Sequence, residues 1–235
     1  MKRFYTLVST QKTDQGFLIT LDGRPVKTAM KHELLAPNEK LANALVKEWA
    51  GQEDKIIPDS MPMTQILSTK IDRVSHERNA MQAAMFKYLD TDLLCYRADD
   101  PPELKNRQKE TWDQYLDWFK SHYEYDLKTT YGLAAITQEQ GAHDKIHSEI
   151  KAMNDDDFTL LQLIVSISGS LILGLAAMHK KANAEDIFTA MRVEETFKAE
   201  IYNEDFYGSD PAQEAKDKAI QADLKATLEY LKILK

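Results

Sequence analysis

Two histidines four residues apart, His143 and His147, have the clearest metal-ligand spacing in the sequence. Residues at this spacing share one face of a helix, as the paired histidines of many zinc enzymes do. The metalloprotease motif has glutamate after its first histidine, whereas this chain has the shorter Asp144, and no pattern nearby supplies a third ligand. A solvated helix face is the preferred interpretation, and a metal-dependent hydrolase is the alternative.

Other residues that serve as nucleophiles or acid–base groups are poorly placed for catalysis. Cys95, the only cysteine, lies in the apolar run LLCY and is predicted to be a buried, unreactive thiol. Asp90 and Asp92 fit either an acid–base couple or the cap of a helix. The sequence has neither a G-x-S-x-G motif nor a glycine-rich phosphate loop. We therefore predict a protein that is not an enzyme and that uses no cofactor and no metal.

Acidic and aromatic residues alternate near the C-terminus. They are Glu194, Glu195, Glu200, Glu204, Asp205 and Asp210, interleaved with Phe197, Tyr202, Phe206 and Tyr207. Helical spacing predicts that Phe197 and Ile201 face the core while Glu200 and Glu204 form an acidic strip. A solvated helix end would show this pattern, and so would a protein-docking surface, in which exposed aromatic side chains contribute most of the binding energy.

The bulk composition is typical of a soluble globular protein of 235 residues, with 43% hydrophobic and 29% charged residues. A formal net charge of −8 argues against binding to nucleic acids or anionic membranes. A single cysteine excludes an internal disulfide and fits a reducing compartment. The N-terminal sequence MKRFYTLVST has no secretory or transit signal. The expected location is the bacterial cytoplasm, or the mitochondrial matrix for a processed organelle protein.

The elements that would position these residues change type near residue 36. Phe17, Ile19 and Leu21 alternate along a predicted strand, and Asp22-Gly23 begins a hairpin loop. Further short strands are predicted at 26–30 and 32–35, and helical periodicity dominates after Pro37. We predict an α+β fold with a β-rich domain at 1–36, which extends at most to about 60, and an α-helical domain at 37–235.

The stretch FTLLQLIVSISGSLILGLAAM, residues 158–178, is the most apolar in the chain. Its length would allow a membrane span. Three serines and Gly169 lie at its centre, where an isolated span would be most apolar, and such small residues let neighbouring helices approach closely. We predict a buried central helix with a break near Gly169, and a membrane-anchored assembly factor is the alternative. The serines are Ser166, Ser168 and Ser170, and we expect them to bond back to helix carbonyls.

Several segments together resemble the chaperone family that assembles the alpha subunit of the F-type ATP synthase. They are LDGRPVKT at 21–28, Glu48-Trp49 with Gln52, MPMT at 61–64, TKID at 69–72, TDLLCYRA at 91–98, Trp112-Asp113 with Leu116 and Trp118, SGSLILGLA at 168–176, and Gly208. Any one segment is weakly specific. Their order along nearly the whole chain makes the resemblance specific.

The resemblance implies a small β-rich domain followed by a larger helical domain, and it implies no catalysis. Members of the family hold the free alpha subunit until the beta subunit arrives and hydrolyse no nucleotide. The expected partner is therefore the alpha subunit of the F-type ATP synthase. We expect the chain itself to be monomeric and not inserted into a membrane.

The family also carries an acidic residue, a glutamine and then Trp-Gly near its C-terminus. Alignment on Gly208 places Tyr207 at the tryptophan, Asn203 at the glutamine and Glu200 at the acid. Two of these positions depart from the family pattern, so Glu204 stays open as the alternative acid. The resemblance thus predicts a partner-binding surface that consists of Glu200, Asn203, Glu204, Asp205, Tyr207 and Gly208.

Overall fold

The structure, a computed structural model, describes residues 1–132, 134–202 and 211–235. The chain forms two compact units, each assembled from separate segments. The first unit contains Met1–Arg78, Asp155–Leu160 and Ala226–Lys235, and the second contains Asn79–Asn154 and Leu161–Lys225.

A four-stranded antiparallel sheet lies in the first unit. Its strands are β1 (Val8–Thr13), β2 (Gly16–Leu21), β3 (Arg24–Pro25) and β4 (Leu35–Ala36). Strand β2 is central, since β1 pairs along its whole length while β3 and β4 pair with the two ends of its other edge. The prediction of strands at 26–30 and 32–35 is wrong in its bounds: of these residues only Leu35 lies in a strand, and an isolated bridge joins Lys27 to Glu33.

Both faces of β2 are covered. Four consecutive residues, Leu18 to Leu21, are buried, whereas the sequence predicted alternation between core and solvent. Helix α1 (Glu39–Ala50) packs on this sheet through Leu41, Leu45 and Trp49, which recur every four residues on one face.

The rest of the chain is mainly helical. The helices are α2 (Pro62–Thr69), α3 (Ser75–Phe86), α4 (Pro102–Tyr123), α5 (Gln140–Ala152), α6 (Asp155–Ser168), α7 (Leu171–Met178), α8 (Ala184–Met191), α9 (Val193–Ile201) and α10 (Pro211–Leu234). A π-helical turn, Lys70–Val74, joins α2 to α3, and single 3-10 turns lie at Pro58–Ser60, Lys87–Leu89 and Leu93–Cys95. Strands β5 (Tyr96–Arg97) and β6 (Thr130–Tyr131) form a short parallel pair.

The last turns of α10 belong to the first unit. Tyr230 is buried there and its hydroxyl lies 3.4 Å from a carboxylate oxygen of Asp156. The Asn38 amide donates to the backbone carbonyl of Ile233, and its side-chain oxygen caps α1 by accepting from the Leu41 N–H at 2.9 Å. The C-terminal residues therefore pack within the first unit, next to Asp156 and the start of α1.

The apolar run at 158–178 forms a helix pair, α6 and α7, with the predicted break at Gly169. Gly169 has φ +69°, a left-handed conformation that ends α6 without the strain of a side chain. Ser170 then begins α7, because its hydroxyl accepts from the Leu173 N–H at 3.0 Å. Every residue of α7 is buried. In the described part of the chain, no helix combines the length and the apolarity that crossing a membrane needs.

The two glycines of this run, Gly169 and Gly174, have different roles, and the prediction of close packing at Gly169 is wrong. A Cβ on Gly169 would have no atom within 4 Å, so its task is conformational. A Cβ on Gly174 would lie 2.9 Å from side-chain atoms of Leu161 and of Val165. Gly174 is therefore a point of close approach between α7 and α6.

The predicted α+β fold, with a small N-terminal antiparallel sheet and a larger helical part around a buried apolar segment, is confirmed. The predicted domain boundary at residue 36, with its extension to about 60, stays a prediction. The segments 155–160 and 226–235 join the first unit from far along the chain, and no local composition marks them.

Candidate functional site

Segments that carry the family resemblance contact one another within each unit. The Glu48 carboxylate accepts from the backbone N–H groups of Met63 and Thr64 at 2.6 and 2.8 Å, so it caps the start of α2. The Thr28 hydroxyl donates to the buried Asp72 carboxylate at 2.6 Å. These residues hold the fold together, and the surface that performs the function must be sought elsewhere.

Asp92 of the TDLLCYRA segment has the most elaborate of these contacts. It is fully buried and accepts from the Leu94 N–H at 3.0 Å, the Ser170 hydroxyl at 2.8 Å and the Ile172 N–H at 3.0 Å. One carboxylate thus caps both the turn that begins at Leu93 and helix α7. Of the two interpretations of Asp92, the structure supports the helix cap.

Burial and hydrogen bonding act on Asp92 in opposite directions. Burial disfavours the charged carboxylate and raises its pKa, while the N–H groups of Ile172 and Leu94 and the Ser170 hydroxyl lower it. Burial dominates and raises the pKa of Asp92 to about 6 from an ordinary value of 3.8.

This pKa predicts a pH dependence of stability. The folded protein binds the Asp92 proton more tightly than the unfolded chain, so the contribution is complete below pH 3.8 and is lost as the pH rises through about 6. Relative to an Asp92→Asn variant, the free energy of unfolding of the wild type should fall by roughly 3 kcal/mol over this interval. Urea denaturation of both proteins between pH 3.5 and 7.5 measures the difference, and parallel profiles would contradict it.

The candidate partner-binding residue Glu200 lies on α9 and pairs with Arg107 of α4. Both guanidinium Nη atoms donate to the carboxylate, with 2.8 Å between Nη1 and Oε1. The hydrogen bond from Arg107, together with its positive charge, lowers the pKa of Glu200 despite some desolvation, so the group is ionised at neutral pH. The guanidinium also lies 5.2 Å from the centre of the Phe197 ring.

Helix α4 fixes the position of α8 and α9 through buried polar contacts. The Trp112 indole N–H donates to the Ala190 carbonyl at 2.8 Å, and the Gln108 amide donates to the Glu194 carboxylate at 2.9 Å. Gln108 is fully buried, and its oxygen accepts from the Ala98 N–H at 2.8 Å. These bonds fix the end of α8 and the first turn of α9 against α4. Glu200, near the C-terminal end of α9, therefore has a defined position.

The end of α9 exposes two large side chains next to Glu200. Tyr202 is 73% exposed, and Ile201 is 61% exposed, so the prediction that Ile201 faces the core is wrong. Phe197, one turn earlier, is buried as predicted. Ile201 is the last helical residue, and the burial of the α9 face stops before it. Of the predicted binding residues, Asn203, Glu204, Asp205, Tyr207 and Gly208 lie outside the described residues.

Comparison with known proteins identifies the family. The model of the ATP12 chaperone protein family matches residues 2–120. The chain belongs to the ATP12 chaperone family. The crystal structure of Atp12 from Paracoccus denitrificans matches with a TM-score of 0.89 at 31% identity, covering 100% of this chain and 98% of that one.

Two further solved structures support this membership in the ATP12 family. An aspartate-to-lysine point mutant of P. denitrificans Atp12p matches with a TM-score of 0.88 at 31% identity and the same coverage. A candidate chaperone from Agrobacterium tumefaciens matches with a TM-score of 0.90 at 30% identity, covering 100% of this chain and 86% of that one.

In this ATP12-family chain the predicted histidine pair is used in packing. His143 Nε2 lies 3.0 Å from Asp90 Oδ1, and the His147 ring lies 3.5 Å from the centre of the Phe86 ring. Burial and the nearby His143 lower the pKa of His147. The two imidazole rings are 6.2 Å apart. Each ring has a partner of its own and His143 is only 14% exposed, so the prediction of a solvated helix face is wrong. The contacts favour a structural role over the hydrolase.

The remaining catalytic candidates also have structural partners. Cys95 is fully buried, and burial together with the charge of Asp92 raises the pKa of its thiol, so it is unreactive at neutral pH. Ser166 and Ser168 donate to helix carbonyls as predicted, and Ser170 caps α7.

Sequence reasoning missed Arg107, the residue that contacts Glu200. It lies 93 positions earlier in the chain, on a charged face of α4 among several other basic residues. Spacing within one helix carries no information about a pair between two helices. Covariation between the positions would be the signal that could find it.

Proposed function

We propose that this chain is a molecular chaperone that binds the unassembled alpha subunit of the F-type ATP synthase and promotes assembly of the catalytic sector. The observation that supports it is the match to the ATP12 fold over the whole chain, together with the family segments in the sequence. The chain acts by binding and without nucleotide hydrolysis, which agrees with a sequence that has no phosphate loop.

The binding surface that we propose is the exposed end of α9 with the residues that follow it: Glu200, Ile201, Tyr202, Asn203, Glu204, Asp205, Tyr207 and Gly208. Support comes from the half-exposed Glu200 carboxylate beside Ile201 and Tyr202. An exposed tyrosine next to an aliphatic side chain and a charge is the composition of an interface hot spot.

The physical task explains why such a surface is small. A subunit surface that is later buried in the synthase is rich in apolar area, and covering it is worth about 25 cal/mol per Å². Exposed, that surface promotes aggregation. The chaperone must also be displaced by the next subunit, so a moderate interface with a few anchoring residues serves better than an extensive one.

Co-purification tests the proposal. The chain is mixed with separately refolded alpha and beta subunits of the F-type ATP synthase and recovered by affinity capture. We expect alpha to be retained at near equimolar amounts, beta to be absent, and alpha to be released on addition of beta. Retention of both subunits, or of neither, would contradict the proposal.

Two further parts of the proposal concern the state of the chain. We propose that it acts as a monomer in the bacterial cytoplasm, and the bacterial origin of the matching structures supports this location. Light scattering of the free chain and of its complex with the alpha subunit distinguishes one copy of the chain from two.

A further inference from the structure

We propose that His122, Glu149 and His179 form a binding site for Zn²⁺ in the second unit. Their candidate ligand atoms, a ring nitrogen from each histidine and a carboxylate oxygen, all lie within 4.8 Å of one another. Two imidazoles and one carboxylate are a ligand set that zinc uses in proteins, with a fourth position left for water.

The geometry needs only small side-chain movements to receive the ion. His179 Nε2 already lies 2.8 Å from Glu149 Oε1, and the rings of His122 and His179 have centres 4.3 Å apart. Ligand atoms about 2.0–2.1 Å from a tetrahedral zinc ion are separated by roughly 3.4 Å. His122 is exposed, so a small rotation of its side chain can bring a ring nitrogen to an ion held by Glu149 and His179.

The helices supply an electrostatic environment that favours a cation. His122 lies in the last turn of α4, Glu149 in the last turn of α5, and His179 is the C-cap of α7. The C-terminal end of a helix carries a partial negative charge from its unpaired carbonyl groups. Three such ends converge here, and the Glu149 carboxylate adds a full charge.

Neighbouring side chains hold the ligands in position. The Tyr123 hydroxyl donates to Glu149 Oε2 at 2.7 Å, which leaves Oε1 directed at His179. Trp118 stacks on His122 with ring centres 5.4 Å apart and lies 5.6 Å from His179. Hydrogen bonds and packing of this kind orient the ligands of established metal sites and tune their affinity.

The three ligands lie on three helices and share no sequence motif, so spacing along the chain could not predict this site. The histidine pair that spacing does identify, His143 and His147, contacts Asp90 and Phe86 and is not part of this site. A metal ion here would join the C-terminal ends of α4, α5 and α7, and would stabilise the helical part of the protein by mass action.

Zinc titration of the full-length, untagged protein tests the site. After chelator treatment and dialysis, isothermal titration calorimetry should show one equivalent of Zn²⁺ bound. Co²⁺ in its place should give the visible absorption of a four-coordinate site. His122→Ala and His179→Ala should each weaken binding by more than about tenfold, and Tyr123→Phe should weaken it by roughly tenfold while retaining the Co²⁺ spectrum.

The matched control is the double variant His143→Ala/His147→Ala, which removes the other histidine pair and should bind zinc like the wild type. Because His122 is exposed, His122→Ala will fold even if a variant at His179 does not. Binding of less than one equivalent, or loss of binding in the control rather than in His122→Ala, would overturn the proposal.

Discussion

Replacement of Glu200 with lysine will weaken capture of the alpha subunit by about tenfold or more while the chain stays folded. The effect rests on the proposed function. Glu200 is half exposed, and Arg107 holds it at the end of α9. Lysine there removes the carboxylate and places two positive charges side by side, so any basic group of the partner would be repelled. Biolayer interferometry on immobilised alpha subunit measures the dissociation constants of the variant and of the wild type, and their ratio tests the prediction.

A control on the same helix separates a local effect from a general change of charge. Glu195 is also half exposed and lies five residues earlier than Glu200, in an ion pair with Arg192 at 3.7 Å. Glu195→Lys makes the same change in net charge and should leave binding within about twofold of the wild type. Equal affinities for Glu200→Lys and the wild type would exclude Glu200 from the binding surface.

A charge swap distinguishes contact with the partner from support of the local structure. The double variant Arg107→Glu/Glu200→Arg restores an ion pair between α4 and α9 with its polarity reversed. If Glu200 contacts the alpha subunit, the swap will bind as weakly as Glu200→Lys. If the swap recovers wild-type affinity, Glu200 acts only through Arg107.

Replacement of Asp92 with alanine will lower the free energy of unfolding by about 3 kcal/mol at pH 7, the largest stability effect that we expect from a single polar residue. The variant leaves the Leu94 N–H, the Ile172 N–H and the Ser170 hydroxyl buried without this acceptor. Each loss costs about 1–3 kcal/mol, and relief of the buried charge offsets part of the sum. Urea denaturation followed by circular dichroism measures the change.

Asp90, two residues earlier, is the matched control. Its carboxylate also accepts a backbone bond, from Gln138 at 2.8 Å, but its side chain is partly exposed and water can replace the lost acceptor. Asp90→Ala should therefore cost about 1 kcal/mol. If Asp92→Ala does not fold, Asp92→Asn, which keeps one acceptor, provides the measurement. Equal effects at positions 90 and 92 would contradict the role of Asp92 as a double cap.

The elements of the fold that could be predicted are those marked by hydrophobic periodicity within one short segment of sequence. Alternation around Ile19 indicated the sheet, and the charge-free run around Gly169 indicated a buried helix with a break. The exact lengths of the short strands were not predictable, because backbone pairing with β2 decides them. The exposure of Ile201 was also missed. The helical period predicts which face of α9 is apolar, but it does not predict how far along the helix that face is covered by neighbouring elements.

Only the residues of the candidate site that match the C-terminal family pattern could be predicted from the sequence. That pattern pointed to Glu200, while its partner Arg107 and the cluster at His122 depend on the packing of separate helices. Contacts between side chains on separate helices depend on the tertiary structure, so the spacing of residues along the chain does not predict them.

The assembly of the first unit from segments that include Ala226–Lys235 has a consequence for synthesis of the protein. A ribosome produces the sheet strands first, yet the buried Tyr230 and Leu231 of the same unit emerge only after the residues of the second unit. Folding that proceeds from the N-terminus during translation cannot finish this unit. The first unit of the nascent chain therefore stays incomplete until Ala226–Lys235 have emerged from the ribosome, by which point the residues of the second unit have already been made.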